Sequence, residues 1–111
     1  TANEGYLKRI PNNVEIEKIS SDEPKLLSKI LADRGFNKVL WECGPELATA
    51  AVKAGCIQEF ITFIAPKILG GENGMNPFSD FEINSMNEVL KLNLEEIKLS
   101  NRDLFIRSLM M

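Results

Sequence analysis

Histidine is absent from this 111-residue sequence, and cysteine occurs only at Cys43 and Cys56. Without an imidazole, Ser-His and Cys-His nucleophilic chemistry is excluded. A zinc site would have to be completed by carboxylates, and no metal is expected. Basic clusters are missing too. Thirteen Lys and Arg stand against 16 Asp and Glu, a net charge of −3, which is not the electrostatic footprint of a nucleic-acid binder. No apolar run approaches the ~18 residues that suggest a membrane span. The amino end, TANEGYLKRIPNN, lacks the apolar segment of a signal peptide. With nothing pointing to secretion, both cysteines are expected as free thiols and the protein as cytoplasmic. The chain opens on Thr1-Ala2-Asn3-Glu4 without a methionine, so a piece of a longer protein is expected.

What remains is enough for one small domain, which at this length buries about 60–70% of its unfolded surface. Residues 1–13 mix Gly5, Pro11, Asn12 and Asn13 with little periodicity and read as a loop-like opening segment. Val14-Glu15-Ile16-Glu17-Lys18-Ile19 alternates apolar and charged residues, the period of a half-exposed strand. Ser20-Ser21-Asp22 supplies an N-cap, Pro24 falls in a first helical turn, and Leu26, Leu27, Ile30 and Leu31 share one face. Gly35 is the expected stop, so a helix is predicted over residues 24–34.

The chain is organised around residues 39–71, VLWECGPELATAAVKAGCIQEFITFIAPKILGG. Val39-Leu40-Trp41-Glu42 reads as a short strand with Trp41 in the core. Gly44 then caps a helix with Pro45 at its first position, a favoured start, and Leu47, Ala48, Ala51 and Val52 form its buried stripe up to Gly55. Phe60-Ile61-Thr62-Phe63-Ile64 is apolar on both faces, as an interior strand would be. A long irregular connection follows over residues 72–87. Leu90, Leu92 and Leu94 alternate with polar residues, and the phase flips so that Ile97 and Leu99 become apolar, which predicts a β-bulge at Glu95-Glu96. Ser100-Asn101-Arg102-Asp103 is a turn into a last strand over residues 104–109. The expected order is β-α-β-α-β followed by an antiparallel hairpin, an α/β mixed sheet with a parallel interior.

Three groups of residues in this order could carry chemistry. Gly44, Pro45, Glu46 and Leu47 open a helix, where unpaired N–H groups and the macrodipole attract phosphate, the dipole contributing ~0.3–1 kcal/mol. Pro45 removes one donor and Glu46 adds a negative charge, and a plain helix cap is the alternative. Glu42 ends an apolar strand at its carboxyl end, the edge where open α/β sheets bind ligands. The alternative is a strand reaching solvent. Lys67, Gly70 and Gly71 form a candidate pocket loop in which paired glycines permit positive φ and close backbone approach, or simply a tight turn.

Taken in register, three segments resemble one family: Glu42-Cys43-Gly44-Pro45-Glu46-Leu47-Ala48, Ala54-Gly55-Cys56-Ile57-Gln58-Glu59 and Ala65-Pro66-Lys67-Ile68-Leu69-Gly70-Gly71. The family is the reductase domain at the carboxyl end of the bifunctional riboflavin-biosynthesis deaminase/reductase. Its pattern is E-G-G-x-x-L, A-G-L-[VI]-D-E and P-K-[LI]-[LI]-G-G, with D-[VL]-L-[LF] in the final hairpin, matched at Asp103-Leu104-Phe105-Ile106. The resemblance covers residue 25 or so to the end, the carboxyl-terminal half of that domain. Cys43 replaces the first glycine of E-G-G, and Gln58 replaces an aspartate. The zinc deaminase signature is absent, as the lack of histidine requires.

The resemblance implies a dihydrofolate-reductase-like fold that binds NADPH. It also implies reduction of the ribosyl group of 5-amino-6-(5-phosphoribosylamino)uracil to ribityl by hydride transfer. By position, Gly44, Pro45, Glu46 and Leu47 would face the cofactor phosphates and Glu42 would lie near the substrate. No residue is assigned to the chemical step. The full-length protein would be the NADPH-dependent reductase, and this chain alone, a partial reductase domain, is expected to be inactive. The alternative is a non-catalytic structural piece whose C-terminal hairpin joins subunits in a homodimer, with Phe105, Leu109, Met110 and Met111 needing cover at the sheet edge.

Overall fold

The computed structural model describes residues 10–19, 23–71 and 73–111. Two helices precede a three-stranded sheet: α1 (Pro24–Asp33), α2 (Pro45–Lys53), β1 (Glu59–Ile64), β2 (Leu92–Ser100) and β3 (Asp103–Met110). The Ser20-Ser21-Asp22 cap lies outside the described residues, and Glu23 takes the N-cap position of α1 with extended backbone. Both helices end as their glycines require. Gly35 has φ 88°, its N–H donates to Ala32 C=O and that of Phe36 to Leu31 C=O. Gly55 has φ 69°, with matching bonds to Val52 C=O and from Cys56 to Ala51 C=O. These are Schellman stops, which a left-handed residue makes available.

The sheet is antiparallel throughout, in the order β1-β3-β2. The hairpin, its turn at Asn101-Arg102 and the bulge are as the sequence predicts, with the register of β2 on β3 shifting between Leu94 and Glu96. Three expectations are corrected. Residues 14–19 and 39–42 form no strand, so the parallel interior of the β-α-β-α-β order is absent among the described residues. Their patterns mark a face to bury, but a strand also needs a neighbour to accept its N–H groups, and none is there among the described residues. Among the described residues β1 is an edge strand instead of an interior one. Ile61, Phe63 and Ile64 are about half exposed for the same reason.

The third correction concerns the hairpin. β3 is the central strand, so Phe105, Leu109 and Met110 are half-buried and only Met111 is exposed. The uncovered apolar residues belong to β2 instead: Leu92, Leu94, Ile97 and Leu99. The core is correspondingly slight, with Pro24, Ala51 and Val52 the buried apolar side chains among the described residues. The Cα radius of gyration, 16.7 Å, exceeds the ~13 Å of a compact chain of this length. No helix among the described residues is long and apolar enough to cross a membrane.

Candidate functional site

The first turn of α2 is built as the sequence predicts. Gly44 holds the N-cap with φ −71° and ψ 170°, Pro45 follows at the first helical position, and Glu46 lies in the first turn. The first intrahelical bond runs from Ala48 N–H to Gly44 C=O at 3.0 Å. The N–H groups of Glu46 and Leu47 therefore precede the helical ladder, and Gly44 has no side chain to cap them. Gly44, Pro45, Glu46, Leu47 and Ala50 line a cleft of about 480 Å³. A Cβ placed on Gly44 would meet nothing within 4 Å, and its φ suits any residue. The local fold of this chain does not itself demand glycine there.

What fixes α2 in place is a contact that a count of apolar positions misses. Thr49 is buried, at 5% exposure, and its Oγ1 accepts the Ser79 N–H at 2.8 Å while donating to Ser79 C=O at 3.4 Å. The same N–H reaches Pro45 C=O at 3.4 Å. Next to it Phe78 meets the Phe60 ring of β1 edge-on, with centroids 5.6 Å apart, and Phe81 at the same distance. Lys53 closes the far end of the helix against Glu82 at 3.7 Å. Residues 77–82 thus join α2 to the sheet. The stripe expected from Leu47, Ala48, Ala51 and Val52 is shifted: Thr49, Ala51 and Val52 are buried, Leu47 and Ala48 half-buried. The signal was present in the spacing of Pro45, Thr49 and Val52, at i, i+4 and i+7.

The other expected residues stand apart from this cleft. Glu42 is exposed and makes no hydrogen bond or ion pair among the described residues. Lys67 is exposed on a loop where its N–H donates to Ala65 C=O at 2.8 Å. Gly70 and Gly71 adopt φ of 67° and 112°, so the paired glycines are used for positive φ. Between Lys67 and Gly70, Ile68 and Leu69 are fully exposed. Cys43 and Cys56 are free thiols.

Residues 3–106 match the family described as RibD C-terminal domain. The chain belongs to that family. The match begins well before residue 25, so the likeness reaches nearly the whole chain rather than its later three-quarters. The riboflavin biosynthesis protein PYRR, chloroplastic, of Zea mays is 35% identical over 79 residues, 71% of this chain and 13% of that protein. The riboflavin biosynthesis protein RibD of Synechocystis is 33% identical over 81 residues, 71% of this chain and 22% of that protein. Among solved structures, Acinetobacter baumannii RibD, form 2, superposes with a TM-score of 0.69 at 24% identity, over 88% of this chain and 26% of that one. Form 1 gives 0.66 at 27% identity. The chain thus spans about 13–26% of the length of these RibD-type relatives.

Proposed function

We propose that this RibD-type chain is part of an NADPH-dependent reductase of riboflavin biosynthesis. It would convert the ribosyl group of 5-amino-6-(5-phosphoribosylamino)uracil to ribityl by hydride transfer, within a dihydrofolate-reductase-like fold. The observation that carries the reading is the open first turn of α2 in a chain of the RibD family, with a cleft bounded by Gly44, Pro45, Glu46 and Leu47. The Glu46 and Leu47 N–H groups are the donors for a cofactor phosphate, aided by the positive end of the helix. The bare Gly44 leaves room for that phosphate to approach the backbone. The bound nicotinamide supplies the hydride to the sugar C1′. Glu42, unpaired among the described residues and two residues before Gly44, is available to accept hydrogen bonds from the substrate. Lys67 with Gly70 and Gly71 is available as a pocket loop. The Thr49–Ser79 contact ties the same helix to residues 77–82.

A second reading has its own observation. The uncovered face of β2, with Leu92, Leu94, Ile97 and Leu99, supports self-association of the hairpin into a homodimer. Cofactor titration separates the two. Saturable NADPH binding that is weakened by Gly44→Ser supports the reductase. A dimer that binds no NADPH, even in the full-length protein, leaves only the structural role.

A further inference from the structure

Peptide planarity links the proposed phosphate turn to a group outside α2. Pro45 C=O and Glu46 N–H belong to one peptide unit, trans and rigid, so the two point in opposite directions. Whatever holds that carbonyl sets where the Glu46 N–H is aimed. Pro45 is the first residue of α2, and in the helical ladder its C=O faces the N–H four residues on, that of Thr49. Its second lone pair is taken from outside the helix, by the Ser79 N–H at 3.4 Å.

That donor is itself fixed from three directions. Thr49 Oγ1, one turn along from Pro45, accepts the same N–H at 2.8 Å and donates to Ser79 C=O at 3.4 Å. On one side of Ser79, the Phe78 ring meets Phe60 of β1 edge-on, with centroids 5.6 Å apart. On the other, Asp80 Oδ1 accepts the Glu82 N–H at 2.7 Å, which fixes the turn that follows. Thr49 is buried, so water does not compete for its hydroxyl. The neighbouring donor has no such support. Glu46 C=O, which shares a peptide with the Leu47 N–H, accepts no bond from outside the helix among the described residues.

We propose that Thr49 is a positioning residue for the cofactor phosphate: it holds the Ser79 N–H on the Pro45 carbonyl and so aims the Glu46 N–H at the ligand. This rests on the phosphate reading of the α2 opening and adds to it a residue that the ligand does not touch. Neither Thr49 nor Ser79 lines the cleft of the first turn. The chain of contacts runs from phosphate to Glu46 N–H, across the peptide to Pro45 C=O, and on to Ser79 N–H. Each bond in such a chain polarises the next, so a ligand bound at one end is felt at the other.

An NADPH titration read through affinity and backbone amide resonances tests this. In the parent protein the Ser79 amide should shift saturably, with the same midpoint as Glu46. Thr49→Val, which keeps the volume and removes the hydroxyl, should weaken NADPH about fivefold, the size of one net hydrogen bond. In that variant the shift at Glu46 should shrink while that at Leu47 persists. Thr49→Ser, which keeps the hydroxyl, should stay within about twofold of the parent. Asn101→Val, in the hairpin turn at φ 57°, is the control for lost stability alone and should bind NADPH as the parent does. Three outcomes overturn the proposal and leave the cofactor reading standing: Glu46 shifts while Ser79 does not, Thr49→Val binds like the parent, or Asn101→Val is weakened as much. The first needs no variant, so it decides even if Thr49→Val fails to fold. NADPH that does not bind, or that leaves both Glu46 and Leu47 unmoved, overturns the cofactor reading and this proposal together.

Discussion

The backbone N–H of Ser79 donates to Thr49 Oγ1 at 2.8 Å, which ties residues 77–82 to the helix that opens on the proposed phosphate site. Thr49→Val keeps the volume but leaves that N–H with only the 3.4 Å contact to Pro45 C=O. The expected loss is about 1–3 kcal/mol, read as a lower urea midpoint at unchanged slope. Thr49→Ser, which keeps the acceptor, should recover most of it.

Glu46 has opposite effects on the helix and on the ligand. Its charge in the first turn favours the helix dipole but repels a phosphate placed there. Glu46→Gln should therefore cost about 0.3–1 kcal/mol of stability and yet tighten NADPH a few-fold. Isothermal titration beside thermal melting reads both signs.

Asn101 sits in the hairpin turn at φ 57°, a region that asparagine tolerates and β-branched residues do not. Asn101→Gly should leave stability within about 0.5 kcal/mol, and Asn101→Val should lower it by about 1–3 kcal/mol. Denaturation of the two variants under one set of conditions checks the difference.

Glu96 contributes an acid dependence to the sheet. The Lys98 hydrogen bond at 2.9 Å, with Arg107 at 3.6 Å, holds its carboxyl below the ordinary value of 4.5, against an opposing desolvation. Because the folded pKa is the lower one, the contribution is present above 4.5 and is lost as pH falls through the lowered value. The drop in melting temperature between about pH 7 and about pH 3 should be smaller in Glu96→Gln than in the parent.

Local features were legible in the sequence, and features that need a distant neighbour were not. Gly35 and Gly55 stop their helices because a left-handed residue is a property of one position. The bulge showed as a phase flip between Leu94 and Ile97, and the turn showed as Asn101 between two alternating runs. Residues 14–19 and 39–42 carry strand patterns, but pairing depends on chain that these patterns cannot supply. Thr49 is not legible from an apolar stripe, because the buried face of α2 includes a hydroxyl that meets a loop 30 residues on. The four residues of the α2 opening are contiguous, so sequence placed them together. Glu42, Lys67, Gly70 and Gly71 would reach the same pocket only through tertiary arrangement, and the described structure does not bring them to that cleft.

The most direct test of the central claim is an NADPH titration of the protein followed through its backbone amide resonances. The account predicts saturable shifts largest at Glu46 and Leu47, with affinity reduced about tenfold (roughly 1.4 kcal/mol) by Gly44→Ser, a variant whose better N-cap keeps the helix intact. Saturable binding that leaves those two amides unmoved, or that is indifferent to Gly44→Ser, would contradict it.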